Sequence, residues 1–268
     1  MEITKALELK DPVLITLIGG GGKTTTLFRL GEELSYSGKS VVLTTTTAIF
    51  MPKPSTYDVR IITKSINEAK IRIKENQNAK RILIGKEITT ENKLKGFTPE
   101  EMDEIYKENR EFWFLVEGDG SNGRSLKVPD IHEPQVPSLS SITIILIGTD
   151  ILGKEINKEN VHRHHLIHKL IQKCGSNVDK NLIISLSLHP LGITKGIPAN
   201  SKRIILFNKV RSSGKYDEIS NLSKEIIAKT KDQETDTENY KGSNSRIDAI
   251  FLGEAKDKDS ILEILSCN

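Results

Sequence analysis

The run Leu14-Ile15-Thr16-Leu17-Ile18-Gly19-Gly20-Gly21-Gly22-Lys23-Thr24-Thr25-Thr26 joins an apolar segment to four glycines, a lysine and three threonines. Glycines let backbone N–H groups converge on phosphate oxygens where side chains would collide. A helix starting at the threonines would add unpaired N–H donors and the positive end of its dipole. In such a loop Lys23 reaches the β- and γ-phosphates and the Thr24 hydroxyl ligates Mg²⁺, with Gly19, Gly20, Gly21, Gly22 and Thr25 completing the cradle. A second apolar run, Phe112-Trp113-Phe114-Leu115-Val116, ends in Glu117-Gly118-Asp119-Gly120. Glu117 and Asp119 are two apart, which points both carboxylates the same way, toward a metal or an attacking water, if the strand continues; Gly118 and Gly120 favour a turn there, which leaves their relative direction open. Thr44-Thr45-Thr46-Thr47 follows a third apolar run, which makes Thr45 and Thr46 candidates for a γ-phosphate or metal-water contact.

These residues need a sheet edge to meet. Short β-branched runs at Val13–Ile18, Ser40–Leu43, Val59–Ile62, Arg81–Ile84, Phe112–Val116, Ser141–Ile147, Arg203–Phe207 and Ile247–Leu252 are continuously apolar, as in strands buried on both faces. Helical patterns at Thr24–Ser37, Ser65–Glu75, Pro99–Asn109, His162–Cys174, Tyr216–Lys229 and Lys258–Leu265 separate several of them. Thr98-Pro99-Glu100-Glu101 is a helix start with Thr98 as N-cap. The expected fold is α/β: a mainly parallel sheet with helices on both faces, in three layers. In open sheets of this kind ligands bind at the carboxyl ends of the strands, where the threonines and carboxylates above would lie. Residues 1–268 read as one domain with a helical insertion at 154–200. Gly118–Ser141 is too long for an ordinary connection and reads as a functional loop, and the polar stretch Lys231–Arg246 as a mobile loop.

The chain has 268 residues, 36% hydrophobic and 28% charged, which is globular rather than disordered composition. A net charge of +3, with basic residues interleaved among acidic ones, argues against nucleic acid. No apolar run, the stretch Ile142 to Ile147 included, approaches the ~18 residues a membrane span needs. The two cysteines form no framework, and a reduced cytoplasmic setting is expected.

The glycine run departs from GxxxxGK[ST], because Leu17 stands where the first glycine belongs. It resembles the shorter P-loop KGGxGKTT of partition and metal-centre assembly NTPases, with Ile18 in place of that loop's leading lysine. Relatives of that class pair across bound nucleotide, which leaves a homodimer as an open alternative. GGGGKTTT, the strand-end TTT, VEGDGSNGRSLKVP, HEPQVP and VHR occur here in the order that resembles the selenium-dependent hydroxylase accessory protein family, also called the YqeC selenium cofactor biosynthesis family. The likeness covers about residues 10–211 and is most specific over Glu117–Pro137. It implies a P-loop NTPase-like fold and a role in maturing selenium-dependent molybdenum hydroxylases, with such a hydroxylase or its cofactor-maturation proteins as partners. Carried over residue by residue, it singles out Lys23, Thr24, Thr46, Glu117, Asp119, Gly120, Lys127, Pro129, Glu133, Pro134, Arg163, Asn208 and Lys209.

Physical reading adds roles to some of these. Lys127 and Arg124, in the long loop, are placed to clamp an anion or hold an acceptor. On a helix over 161–174, Leu166, Ile167, Leu170, Ile171 and Cys174 form one apolar arc with Arg163 at its N-terminal end. A charge there is either paired or directed at an anion, and anion contact is the favoured reading. His164 and His168 have the spacing of a shared metal, but no cysteine or carboxylate pattern completes a site. Asn208-Lys209-Val210-Arg211 has the Asn-Lys of a guanine-reading N-K-x-D but replaces its aspartate with arginine, which leaves ATP and GTP equally open. The expected cofactors are Mg²⁺ and a purine nucleoside triphosphate. Three functions compete: a slow Mg²⁺-dependent NTPase, a small-molecule kinase or nucleotidyl transferase acting on a cofactor precursor, and a non-hydrolysing nucleotide-gated scaffold.

Overall fold

The computed structural model describes residues 1–235 and 246–267. Its strands are β1 (Leu14–Gly19), β2 (Val41–Thr45), β3 (Ala48–Phe50), β4 (Val59–Ile62), β5 (Arg81–Gly85), β6 (Glu87–Ile88), β7 (Lys93–Lys95), β8 (Trp113–Glu117), β9 (Leu126–Lys127), β10 (Ile142–Gly148), β11 (Val161–His162), β12 (Lys202–Asn208), β13 (Ala249–Gly253) and β14 (Ile261–Ser266). The helices are α1 (Ile3–Ala6), α2 (Lys23–Tyr36), α3 (Ile66–Glu75), α4 (Pro99–Lys107), α5 (Ile167–Leu170), α6 (Lys180–Leu188), α7 (Val210–Ser213) and α8 (Tyr216–Thr235).

Nine strands form one sheet in the order β14-β13-β12-β10-β1-β8-β2-β5-β4, parallel except for β14. The continuous apolar runs follow from burial on both faces. In β1, Ile15 and Leu17 pack with Leu27, Leu30 and Leu34 of α2 on one face. On the other face Leu14 joins the α3 and α4 side chains Ala69, Ile73, Met102 and Ile105, and Ile18 joins Leu182 of α6 and Leu222 of α8. This is the expected three-layer α/β, P-loop-like fold. The parallel order puts the ends of β1, β8, β2, β10 and β12 on one edge, where the glycine run, Glu117, the threonines and Asn208 meet.

The long connection after β8 is fixed by specific contacts. Asp103 of α4 accepts hydrogen bonds from the Ser138 N–H (2.9 Å), the Ser138 hydroxyl (2.6 Å) and the Leu139 N–H (2.9 Å). Thr98 caps α4 as expected: its side chain accepts from the Glu101 N–H, and Glu101 reaches back to the Thr98 N–H. β9, inside the same connection, pairs in parallel with β11 so that Lys127 sits opposite His162.

Three local expectations, over 162–174, 258–265 and 231–246, are corrected. The helix over 162–174 shrinks to a 3-10 turn at His164–Leu166 and α5, because Val161–His162 is drawn into pairing with β9 and Arg163 adopts a left-handed φ of 61°. The segment 154–200 lies in the crossover from β10 to β12, and Val161, Ile167, Val178 and Leu186 pack it into the sheet-face core. The helix over Lys258–Leu265 is instead β14, which pairs antiparallel with β13 at the sheet's edge. A short apolar run fits either period, and the open edge of β13 decides between them. Of the loop expected over Lys231–Arg246, residues 231–235 continue α8, and 236–245 lie outside the described residues. Among the described residues no helix is long and apolar enough to cross a membrane.

Candidate functional site

The glycine run turns from β1 into α2 with φ of 92° at Gly19, 82° at Gly21 and 126° at Gly22. Only glycine suits Gly21, where a Cβ would also strike the Gly148 backbone. The Gly20 and Gly21 amides are bound to protein, donating to the carbonyls of Leu146 (2.8 Å) and Arg124 (2.9 Å). The backbone donors left open are the first-turn amides at the α2 N-terminus, from Gly22 as N-cap to Thr25, which have no intrahelical acceptor. Gly19, Gly20 and Gly21 shape the loop around them.

Lys23 is 4% exposed, and its Nζ donates to the Gly19 carbonyl at 2.7 Å. The same ammonium lies 3.2 Å from Asp119 Oδ1 and 3.8 Å from Glu117 Oε1. The Thr24 hydroxyl donates to Glu117 Oε2 at 2.7 Å. Glu117 is aimed by the threonines at the end of β2 and just beyond it: the Thr45 hydroxyl (2.7 Å) and the Thr46 N–H (3.0 Å) both donate to its carbonyl. Thr45 is fully buried, so it orients Glu117 rather than facing the cleft, and the Thr46 hydroxyl donates to the Gln135 carbonyl. Burial pushes the Glu117 carboxyl above its ordinary value, opposed by Lys23 and the Thr24 hydrogen bond and reinforced by Asp119. A buried carboxylate beside an exposed threonine hydroxyl is a hard oxygen donor set of the kind Mg²⁺ takes, with water and phosphate filling the remaining positions. Asp119 is otherwise committed: it accepts the Gly19 N–H at 3.0 and 3.1 Å and lies between Lys23 and Lys127.

From Asp119 the charges alternate outward. Lys127, with its side chain 1% exposed, reaches Asp119 (3.1 Å), Glu133 (2.6 Å) and the Gly120 carbonyl (2.7 Å). Arg163 pairs with Glu133 and lies 3.5 Å from Asp130. Its guanidinium thus closes an ion-pair chain, a different setting from the expected helical arc. Asn208 is also built in: its amide donates to the Gly21 carbonyl and accepts from the Ala255 N–H, both at 2.8 Å. Lys209 donates to the Ser125 hydroxyl (2.9 Å) and Asp150 (3.0 Å), and Arg211 pairs with Asp257. Asp150 and Ser125 escape the sequence reading, although Asp150 stands two residues beyond the glycine that ends β10. His164 and His168 do not share a helix, and His168 Nδ1 lies 3.3 Å from Cys174 Sγ.

A cleft of about 670 Å³ opens over the loop. Lys23, Thr24, Thr25 and Glu117 form its floor, Phe50 and Lys93 one side, and Glu133, His162 and Lys209 other parts of its wall. Phe50 is 77% exposed there.

Among known proteins, residues 15–165 match the family model described as YqeC protein. That span runs from β1 through the glycine loop, Glu117, Lys127 and Arg163, and stops short of Asn208. The chain is also 33% identical over 214 residues to "Uncharacterized protein YqeC" of Escherichia coli (strain K12), an overlap covering 75% of this chain and 77% of that protein.

Proposed function

This chain belongs to the YqeC family, and from that premise we propose that it is a Mg²⁺-dependent P-loop nucleoside triphosphate-binding protein with slow intrinsic hydrolysis. The observation that carries the reading is the Thr24 hydroxyl, 2.7 Å from Glu117, beside Lys23 at the start of α2. Thr24 and Glu117 would hold Mg²⁺, which would offset negative charge on the β- and γ-phosphates. Lys23 would exchange the Gly19 carbonyl for phosphate oxygens and steady charge developing between the β- and γ-phosphates. Asp119, committed to the Gly19 N–H and the two lysines, positions Lys23, and Glu117 would orient the attacking water. In the cell this activity would serve maturation of selenium-dependent molybdenum hydroxylases, as the family likeness implies. The alternative of phosphoryl transfer to a small acceptor draws support from the cleft extending past Gly120–Gly123 to Glu133 and His162.

Calorimetric titration of the purified protein with ATP and with GTP, each with Mg²⁺, tests the reading. One purine is expected to bind saturably, and Lys23→Ala to weaken that binding by at least about tenfold and to abolish turnover. A hydrolysis rate unchanged in Lys23→Ala would remove the assignment.

A further inference from the structure

A second pocket of about 370 Å³ adjoins the phosphate cleft, and Asn122 and His162 line both. Its charged lining is Arg124, Lys158 and Arg163 against Glu159. Arg163 is answered behind the wall by Glu133 and Asp130. Arg124 is not answered in this way. Its Nε donates to the Lys158 carbonyl (3.0 Å) and its Nη1 to the Asn122 carbonyl (2.6 Å), which fixes the guanidinium without a carboxylate partner among the described residues. Among the described residues Lys158 meets only Glu159, at 3.8 Å with both side chains well exposed, so its charge is also largely open to solvent. Burial, Lys127 and Arg163 hold the pKa of His162 below its ordinary value, in keeping with positive surroundings at the shared wall.

The backbone couples this pocket to the glycine loop. The Arg124 carbonyl accepts the Gly21 N–H, and the next residue, Ser125, accepts from Lys209 and, through its carbonyl, from the Gly148 N–H. An immobilised guanidinium, a nearby ammonium and an imidazole form a donor set suited to a phosphate-type oxyanion. The nucleotide's own phosphates already have Lys23 and the α2 amides. We infer that the pocket around Arg124 and Lys158 is a second anion subsite, which holds the phosphate-type group of a small-molecule substrate beside the bound nucleotide. The location beside a nucleotide rests on the function proposed above; the anion site itself does not.

Inorganic phosphate is the probe, titrated into wild-type protein, Lys23→Ala, Arg124→Gln and Lys158→Glu by calorimetry, with ³¹P line broadening as a second readout. A phosphate-binding phase is expected to remain in Lys23→Ala, apart from whatever the glycine loop takes up in wild type. Arg124→Gln should weaken it by at least about tenfold, and Lys158→Glu, at an exposed position that does not threaten folding, by at least about threefold. Phosphate that does not bind wild type, that is lost in Lys23→Ala, or that is indifferent to both pocket variants overturns the inference. A protein that binds neither ATP nor GTP but still binds phosphate in this pattern would overturn the nucleotide reading and leave the anion subsite standing.

Discussion

Lys127 shows why a buried charge near a phosphate loop must be considered with its partners. Its side chain is almost wholly enclosed and touches Asp119 and Glu133 at once. Removing the lysine leaves Asp119 with Lys23 and Glu133 with Arg163 as their remaining counter-charges, an imbalance in an enclosed chain that costs more than the pair itself contributes. Lys127→Ala is therefore expected to lower unfolding free energy by about 3–5 kcal/mol in urea denaturation. Adding Glu133→Gln should restore part of that loss, because it removes one stranded charge; strictly additive losses would refute the coupling. The glycine run, Lys23, Thr24 and Glu117 were legible in the sequence because each has a local signature: glycines before a lysine, or an acid ending an apolar strand. The chain Asp119-Lys127-Glu133-Arg163 was legible only as a set of positions, since its pairing depends on how Asp103 folds the long connection back.

At the scale of elements, the strands of the large sheet were readable because burial on both faces leaves an unbroken apolar run. The sheets β3-β7-β6 and β9-β11 were not, because pairings of two or three residues carry no period. The same limit explains Arg163, whose left-handed backbone ended a helix that its apolar neighbours supported. Helix α2, which carries Lys23 and Thr24, is pinned at its other end by Glu33. That carboxylate, 6% exposed, accepts the Thr4 N–H of α1 at 2.9 Å. Burial raises its pKa above the ordinary value, outweighing the bonds from α1. The folded chain therefore holds this proton more tightly than the unfolded chain, and stability falls as pH rises from the ordinary carboxylate value through the raised one. Glu33→Gln keeps an acceptor for Thr4 and cannot ionise. Its stability relative to wild type should increase between about pH 4 and pH 7. A difference that stays flat or shrinks would show that Glu33 is not destabilised by its charge.

Across the whole molecule, the edge of the sheet is tied together by bonds that cross between strands. Asn208, ending β12, holds the Gly21 carbonyl and the Ala255 amide after β13. Asp119, beyond β8, holds the Gly19 amide, and the Leu146 carbonyl of β10 accepts from Gly20. A ligand seated on the glycine loop is thus bonded indirectly to β1, β8, β10, β12 and β13, and its binding energy should stabilise the sheet as one unit. At a nucleotide concentration about 100 times its Kd, mass action adds about 2.7 kcal/mol to stability. Trp113, the single tryptophan, lies 3% exposed at the start of β8, at the far end of the strand from Glu117. Its fluorescence and far-UV circular dichroism should therefore shift to higher temperature together when Mg²⁺ and the preferred triphosphate are added, and both should shift less in Lys23→Ala. If circular dichroism splits into two transitions and Trp113 stays in the unshifted one, the nucleotide stabilises only part of the sheet. The bonds converging on the glycine loop would then be local fastenings rather than the means by which binding is felt throughout the fold.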